Sequence, residues 1–85
     1  MTTAQPLIVT AKQRRILRWI ADYIASHGFS PTIREGMAKF TFRSQNGMVC
    51  HLNALRRKQL IEWMEGRSRT LRVTAAGMEE LARGD

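Results

Sequence analysis

The 85-residue sequence predicts a mainly α-helical domain closed by one small β-hairpin. Three observations lead there. Two boxes of the form Thr-x-x-Gln/Glu and one serine each stand just ahead of an apolar period of 3.6, which marks three helix starts. After Lys58 the apolar period changes from 3.6 to 2, the signature of paired strands. The length suits one small domain, burying only roughly 60–65% of its extended surface around a single modest core. Deep catalytic clefts and cofactor pockets are not expected at this size.

Residues 1–9 read as a flexible lead-in, with Leu7 and Val9 pinned against the body. Thr10 and Gln13 form the first capping box and open a helix running to about residue 26. Ile16, Ile20 and Ile24 stack on one face, flanked by Leu17 and Tyr23, while Lys12, Arg15, Arg18 and Asp22 face outward. Gly28 ends that helix in the left-handed conformation. Ser30-Pro31-Thr32 is an extended connector, because a residue before proline avoids helical angles.

Thr32 and Glu35 form the second box and start a short helix to about Phe40. Gly36 lies inside it, at a cost of about 1 kcal/mol relative to alanine. A tight turn over residues 40–43 leads to Ser44, the cap of a third helix. A short helix, a turn of about four residues and a longer helix make a helix-turn-helix.

Residues 60–65 read as a strand with Ile61 and Trp63 on one face, and residues 66–69 as a turn. Residues 70–73 return with Leu71 and Val73 inward, Thr70 and Arg72 outward. A two-stranded hairpin is marginal alone and must rest on the helices. Three helices followed by a hairpin is the winged helix-turn-helix order, here spanning residues 10–73. Residues 74–85 form a C-terminal tail, either a short acidic helical turn or a frayed end.

Residues 42–58 carry the chemistry. Met48, Leu52 and Leu55 recur at i, i+4, i+7 and give one narrow apolar stripe. The opposite face presents Gln45, Asn46, Val49, Cys50, Asn53 and Arg57, short, polar and basic, with no acid anywhere from Thr41 to Ile61. Such a face suits a polyanion with readable edges, the major groove of DNA. A solvated surface helix is the bland alternative. The charge of the whole chain favours the groove: Lys plus Arg number 14 against 7 Asp plus Glu, a formal +7. The excess gathers around this helix, where Arg34, Lys39, Arg43, Arg56, Arg57 and Lys58 face Glu35 alone.

Other classes find little support. A single cysteine excludes an internal disulfide, no apolar run approaches a membrane span, and no signal-peptide pattern opens the chain. A cytoplasmic protein is the default, with no cofactor and no small-molecule ligand. Cys50, His51 and His27 do not offer metal-ligand spacing, and no phosphate loop or paired carboxylates point to an enzyme. His51, Trp19 and Trp63 read as packing residues.

With these elements placed, the chain resembles the N-terminal DNA-binding domain of LexA repressors. The matching residues are Thr10 and Gln13, Gly28, Ser30-Pro31-Thr32, Arg34-Glu35, Phe42-Arg43-Ser44 with Asn46, and His51-Leu52 with Ala54-Leu55. Arg57-Lys58, Ile61-Glu62 and residues 66–73 complete a match over about residues 9–73. The resemblance implies a third helix in the major groove, with Ser44, Asn46, Gly47, Val49 and Cys50 as base readers. The residue pattern by itself agrees for Asn46, Val49 and Cys50; Gly47 would allow close approach of the backbone, and Ser44 doubles as cap. The hairpin would be the wing, laying Arg67 and Arg69 on phosphates or at the minor groove.

Arg43, Asn53, Arg56, Arg57 and Lys58 are the further candidates for the DNA backbone, with Arg14 and Arg15 weaker ones. About 4–7 phosphate contacts are expected. Gly36 stands where the family usually has an isoleucine, and Thr41 and Gln59 where it usually has glycine. LexA repressors continue into a Ser–Lys self-cleaving domain that supplies most dimer contacts; both an excised domain and a free-standing binder fit this sequence. Ala76-Gly77 is the dipeptide such repressors cleave, though a common one.

The expectation is therefore a sequence-specific binder of double-stranded DNA, a repressor of the LexA and SOS type, with a palindromic operator if it forms a homodimer on DNA. The rival is a winged-helix adaptor or anti-repressor whose basic face docks an acidic protein partner.

Overall fold

A computed structural model describes residues 9–84, so the lead-in expected at residues 1–8, Leu7 included, lies outside the described residues. Val9 packs, partly buried, against the core. In chain order the elements are α1 (Ala11–His27), α2 (Ile33–Phe40), α3 (Gln45–Arg57), β1 (Ile61–Glu62), β2 (Arg72–Val73) and α4 (Ala75–Gly84). The first five are those of a winged helix-turn-helix.

Both capping boxes form. Thr10 Oγ1 accepts from the Gln13 amide at 3.1 Å while Gln13 Oε1 accepts from the Thr10 amide at 3.3 Å. Thr32 and Glu35 do the same at 3.1 and 2.9 Å. These bonds satisfy amides that a helix start otherwise leaves orphaned. Gly28 ends α1 with φ 81°. Thr41 ends α2 with φ 56°, and Gln59 follows α3 with φ 63°. Residues bearing side chains thus adopt the left-handed turns at both positions where the family usually has glycine, a conformation that costs an L residue about 1–2 kcal/mol.

The core joins Ile16, Leu17 and Ile20 of α1 to Met48, Leu52 and Leu55 of α3, with Leu60, Ile61 and Leu71 from the hairpin region and Leu81 from α4. Each such side chain contributes about 1.5–3 kcal/mol by leaving water. At Gly36 a Cβ would run into the Met48 methyl and stand 3.1 Å from its sulfur. The flexible methionine of α3 therefore occupies the room that a larger residue on α2 would fill, and the glycine admits it.

The hairpin is shorter than expected. Only Ile61↔Val73 and Glu62↔Arg72 pair, antiparallel. The ladder stops because the chain turns away: Gly66 and Arg69 have φ 77° and 57°, and Thr70 Oγ1, expected outward, accepts the Met64 amide at 2.9 Å. Ile61 and Leu71 are buried, and Trp63 and Val73 half-buried, as the alternation predicts.

The C-terminus differs more. The tail is a ten-residue helix docked on the body, so the folded unit continues past residue 73. Thr74 Oγ1 accepts the Gly77 amide at 3.0 Å, the bond of a helix cap. Arg14 Nη2 meets the buried Glu80 Oε2 at 2.5 Å, and Arg14 Nη1 donates to the Glu80 carbonyl at 3.0 Å. A Cβ on Gly77 would collide with the Leu60 carbonyl, so α4 lies as close to the hairpin root as backbone allows. This docking is illegible locally, since the partner of Glu80 lies 66 residues upstream.

Candidate nucleic-acid interface

The helix-turn-helix presents one face of α3. Met48, Leu52 and Leu55 are buried beneath it, while Gln45, Asn46, Cys50, Asn53 and Arg57 are exposed and Val49 is half-buried. Asn46, Val49, Cys50, Asn53 and Arg57 recur at i, i+3, i+4, i+7, i+11 and share one side of the helix. Cys50, Asn53, Arg56 and Arg57 line a shallow open depression toward its C-terminal end. Ser44 caps α3, its Oγ accepting the Gly47 amide at 3.4 Å, and stays exposed. The free amides of this first turn give a partial positive charge facing outward.

Gly47, expected among the base readers, also has a packing reason to lack a side chain. A Cβ there would meet Phe42 Cδ1 at 3.1 Å, so the missing side chain makes room for the ring that packs under the start of α3. The other side of the Phe42 ring environment is occupied by His51, with ring centroids 5.4 Å apart, the packing role expected of that histidine.

The cations expected on the DNA backbone fall into two groups. Arg43, Arg57 and Arg67 are exposed and make no ion pair or side-chain hydrogen bond among the described residues. Arg56, Lys58 and Arg69, also expected at the DNA backbone, each have a partner within the chain. The Arg56 guanidinium lies 4.2 Å from the Trp63 ring centroid and 2.6 Å from Glu65 Oε2. Lys58 Nζ donates to Gln13 Oε1 at 2.7 Å, tying α3 to α1. Arg69 Nη1 donates to the Ser30 carbonyl at 3.0 Å, and Nη2 to Glu35 Oε2 at 3.2 Å. Each finds a partner distant in sequence, which charge counting along the chain does not reveal. Arg14, a weaker candidate, is likewise held by Glu80, whereas Arg15 is exposed.

One cation was missed. Lys12 Nζ of α1 sits 5.0 Å over the Phe42 ring and so stands beside the entry to α3. Its 30-residue separation from Phe42 leaves no local pattern to read. Among the described residues no group of three or more His, Cys, Asp or Glu is placed to hold a metal, and no helix is long and apolar enough to cross a membrane.

The family model described as LexA DNA binding domain matches residues 5–70. The chain belongs to the LexA DNA-binding domain family. It is 42% identical over 77 residues to the LexA repressor of Anaeromyxobacter dehalogenans strain 2CP-1, covering 91% of this chain and 34% of that one. It is 45% identical over 69 residues to the LexA repressor of Herminiimonas arsenicoxydans, covering 81% and 32%. With the LexA repressor of Halorhodospira halophila the figures are 43% over 68 residues, 80% and 30%. The chain thus spans about a third of the length of the curated LexA relatives it matches.

Proposed function

We propose that the chain is a sequence-specific binder of double-stranded DNA that represses transcription by occupying an operator. In this reading α3 enters the major groove and the wing lies along the backbone. One observation carries it: the exposed side of α3 holds Asn46, Val49, Cys50, Asn53 and Arg57 with no carboxylate, and Arg43 and Arg67 are likewise exposed and uncommitted. Membership of the LexA family supports it independently.

Asn46 would read an adenine edge with its amide donor and acceptor, and Val49 and Cys50 would lie against thymine methyls. Ser44 and the α3 N-terminus would hold a phosphate, joined by Arg43, Arg57, Arg67 and the Asn53 amide. With Arg56, Lys58 and Arg69 engaged internally, three of the six basic candidates for the backbone remain uncommitted, so log K should fall with log salt at a slope of roughly −3. A module with so few contacts binds weakly alone. Two copies on a palindromic site would raise affinity through effective concentration. The proposed place of work is the cytoplasm, in keeping with action on DNA.

The test is selection of bound duplexes from a random pool at one fixed salt concentration. Enrichment of a common, two-fold symmetric motif is the expected result. Binding that shows no sequence preference, or that an acidic protein partner captures in the presence of excess bulk DNA, would overturn the reading.

A further inference from the structure

The wing has little to hold its shape. Its ladder is two residue pairs long, and residues 63–71 cross the tip without strand pairing. Arg56 of α3 holds Trp63 and Glu65 of this tip, and its link to the α1–α2 corner is Arg69. Its backbone is left-handed, φ 57°, a strained state for a residue with a side chain, which persists where its surroundings over-determine it. Those surroundings come from the α1–α2 corner. The guanidinium forks onto both Glu35 carboxylate oxygens, at 3.4 and 3.2 Å, donates to the Ser30 carbonyl at 3.0 Å, and lies 4.9 Å from the Phe29 ring centroid. Glu35 is itself fixed: its Oε1 accepts from the Thr32 amide at 2.9 Å and from Tyr23 Oη at 3.1 Å. Each contact is weak where exposed, but a bidentate fork within a network holds a geometry that an isolated pair does not.

We propose that Arg69 and Glu35 form a latch that fixes the wing against the α1–α2 corner, so that Arg67, two residues before Arg69, is presented at a set offset from α3. Arg69 is then a positioning residue that acts through Arg67 rather than a phosphate contact. The latch rests on the DNA-binding reading for its purpose, though not for its existence.

The Glu35→Gln variant separates latch from charge. Glutamine still completes the capping box with Thr32, so α2 keeps its start. It also makes the protein more positive, which by simple attraction would tighten binding to DNA. The latch requires the opposite sign. Affinity for a random-sequence duplex is measured across a salt series, with amide hydrogen exchange followed in the same variants. Expected are weaker binding of Glu35→Gln, a salt slope lower by about 1, and no further loss when the change is made in an Arg67→Ala background. The Met64 and Arg67 amides, bonded across the tip, should exchange faster while those of Leu52 and Leu55 do not change. Unchanged exchange at the tip overturns the latch whether or not DNA binds. Equal or tighter DNA binding by Glu35→Gln, or equal losses with and without Arg67, overturns its role while leaving DNA recognition intact. Failure of the unaltered protein to bind any duplex refutes only the functional reading.

Discussion

The terminal methyl of Met48 on α3 stands where any side chain at Gly36 on α2 would have to go. A small residue on α2 and a long one on α3 therefore complement each other under the helix-turn-helix. Gly36→Ile alone overpacks the junction and should cost about 1–3 kcal/mol or more. Met48→Ala alone leaves a cavity and should cost about 2–5 kcal/mol. The double variant should be more stable than the sum of the two by at least about 1 kcal/mol. Urea unfolding of all four proteins tests this, and strict additivity would show that the two positions do not share one space.

Asn46→Ala should weaken binding to the selected sequence by about 1–3 kcal/mol and leave random DNA nearly unaffected. Arg57→Ala should weaken both DNAs alike and lower the salt slope by about 1. Parallel titrations at fixed salt distinguish the two behaviours. Equal losses on both DNAs in the Asn46 variant would remove it from the reading face.

Thr41 ends α2 at φ 56° and ψ 39°, where its branched side chain is disfavoured. Thr41→Gly should raise stability by about 1 kcal/mol, the relief of strain exceeding the added freedom of the unfolded chain. Thermal melting is the check. A lower melting temperature would mean that the Thr41 hydroxyl bond to the Phe40 carbonyl, 2.6 Å long, outweighs the backbone strain.

Arg14 is the close partner of the buried Glu80, whose side chain is 6% exposed. Arg14→Ala leaves that carboxylate with only the longer Arg83 pair at 3.7 Å and should cost about 2–4 kcal/mol, discounted because the arginine side is partly solvated. Gly77→Ala should also loosen α4, by collision with the Leu60 carbonyl. Both variants should raise hydrogen exchange through residues 75–84 more than through α3. Uniform change over the domain would show that α4 does not open separately.

The Glu35 carboxyl is held below its ordinary value of 4.5, first by the Thr32 amide and then by Arg69 and Tyr23, against the opposing push of burial. A depressed folded value means that its stabilisation is complete above the ordinary value and is lost as pH falls through the folded one. The stability gap between the unaltered protein and Glu35→Gln should stay flat from neutrality to about pH 5 and narrow below it. Melting curves over that range decide. A gap independent of pH would show that the charge of Glu35 contributes nothing.

The three main helices were legible because each start carries its own chemistry: Thr10 with Gln13, Thr32 with Glu35, and Ser44. The exposed side of α3 followed from the period of Met48, Leu52 and Leu55. What escaped depends on partners far apart in the chain. Nothing near Arg69 announces Glu35, nothing near Glu80 announces Arg14, and Lys12 reaches Phe42 only once α1 and the α2–α3 turn are packed. The wing strands read too long because alternation reaches residue 65 on one side and starts at residue 70 on the other, whereas the left-handed angles at Gly66 and Arg69 and the Thr70 bond to Met64 end the ladder.

Gly77 sits buried in the second half-turn of α4, pressed on the Leu60 carbonyl, with its amide tied to Thr74. Proteases accept substrate as extended chain, so the Ala76–Gly77 peptide bond is closed to hydrolysis while this helix stays docked. Any cut there must wait for local unwinding, and the half-life of the bond against a protease becomes a gauge of how often the C-terminal helix lets go.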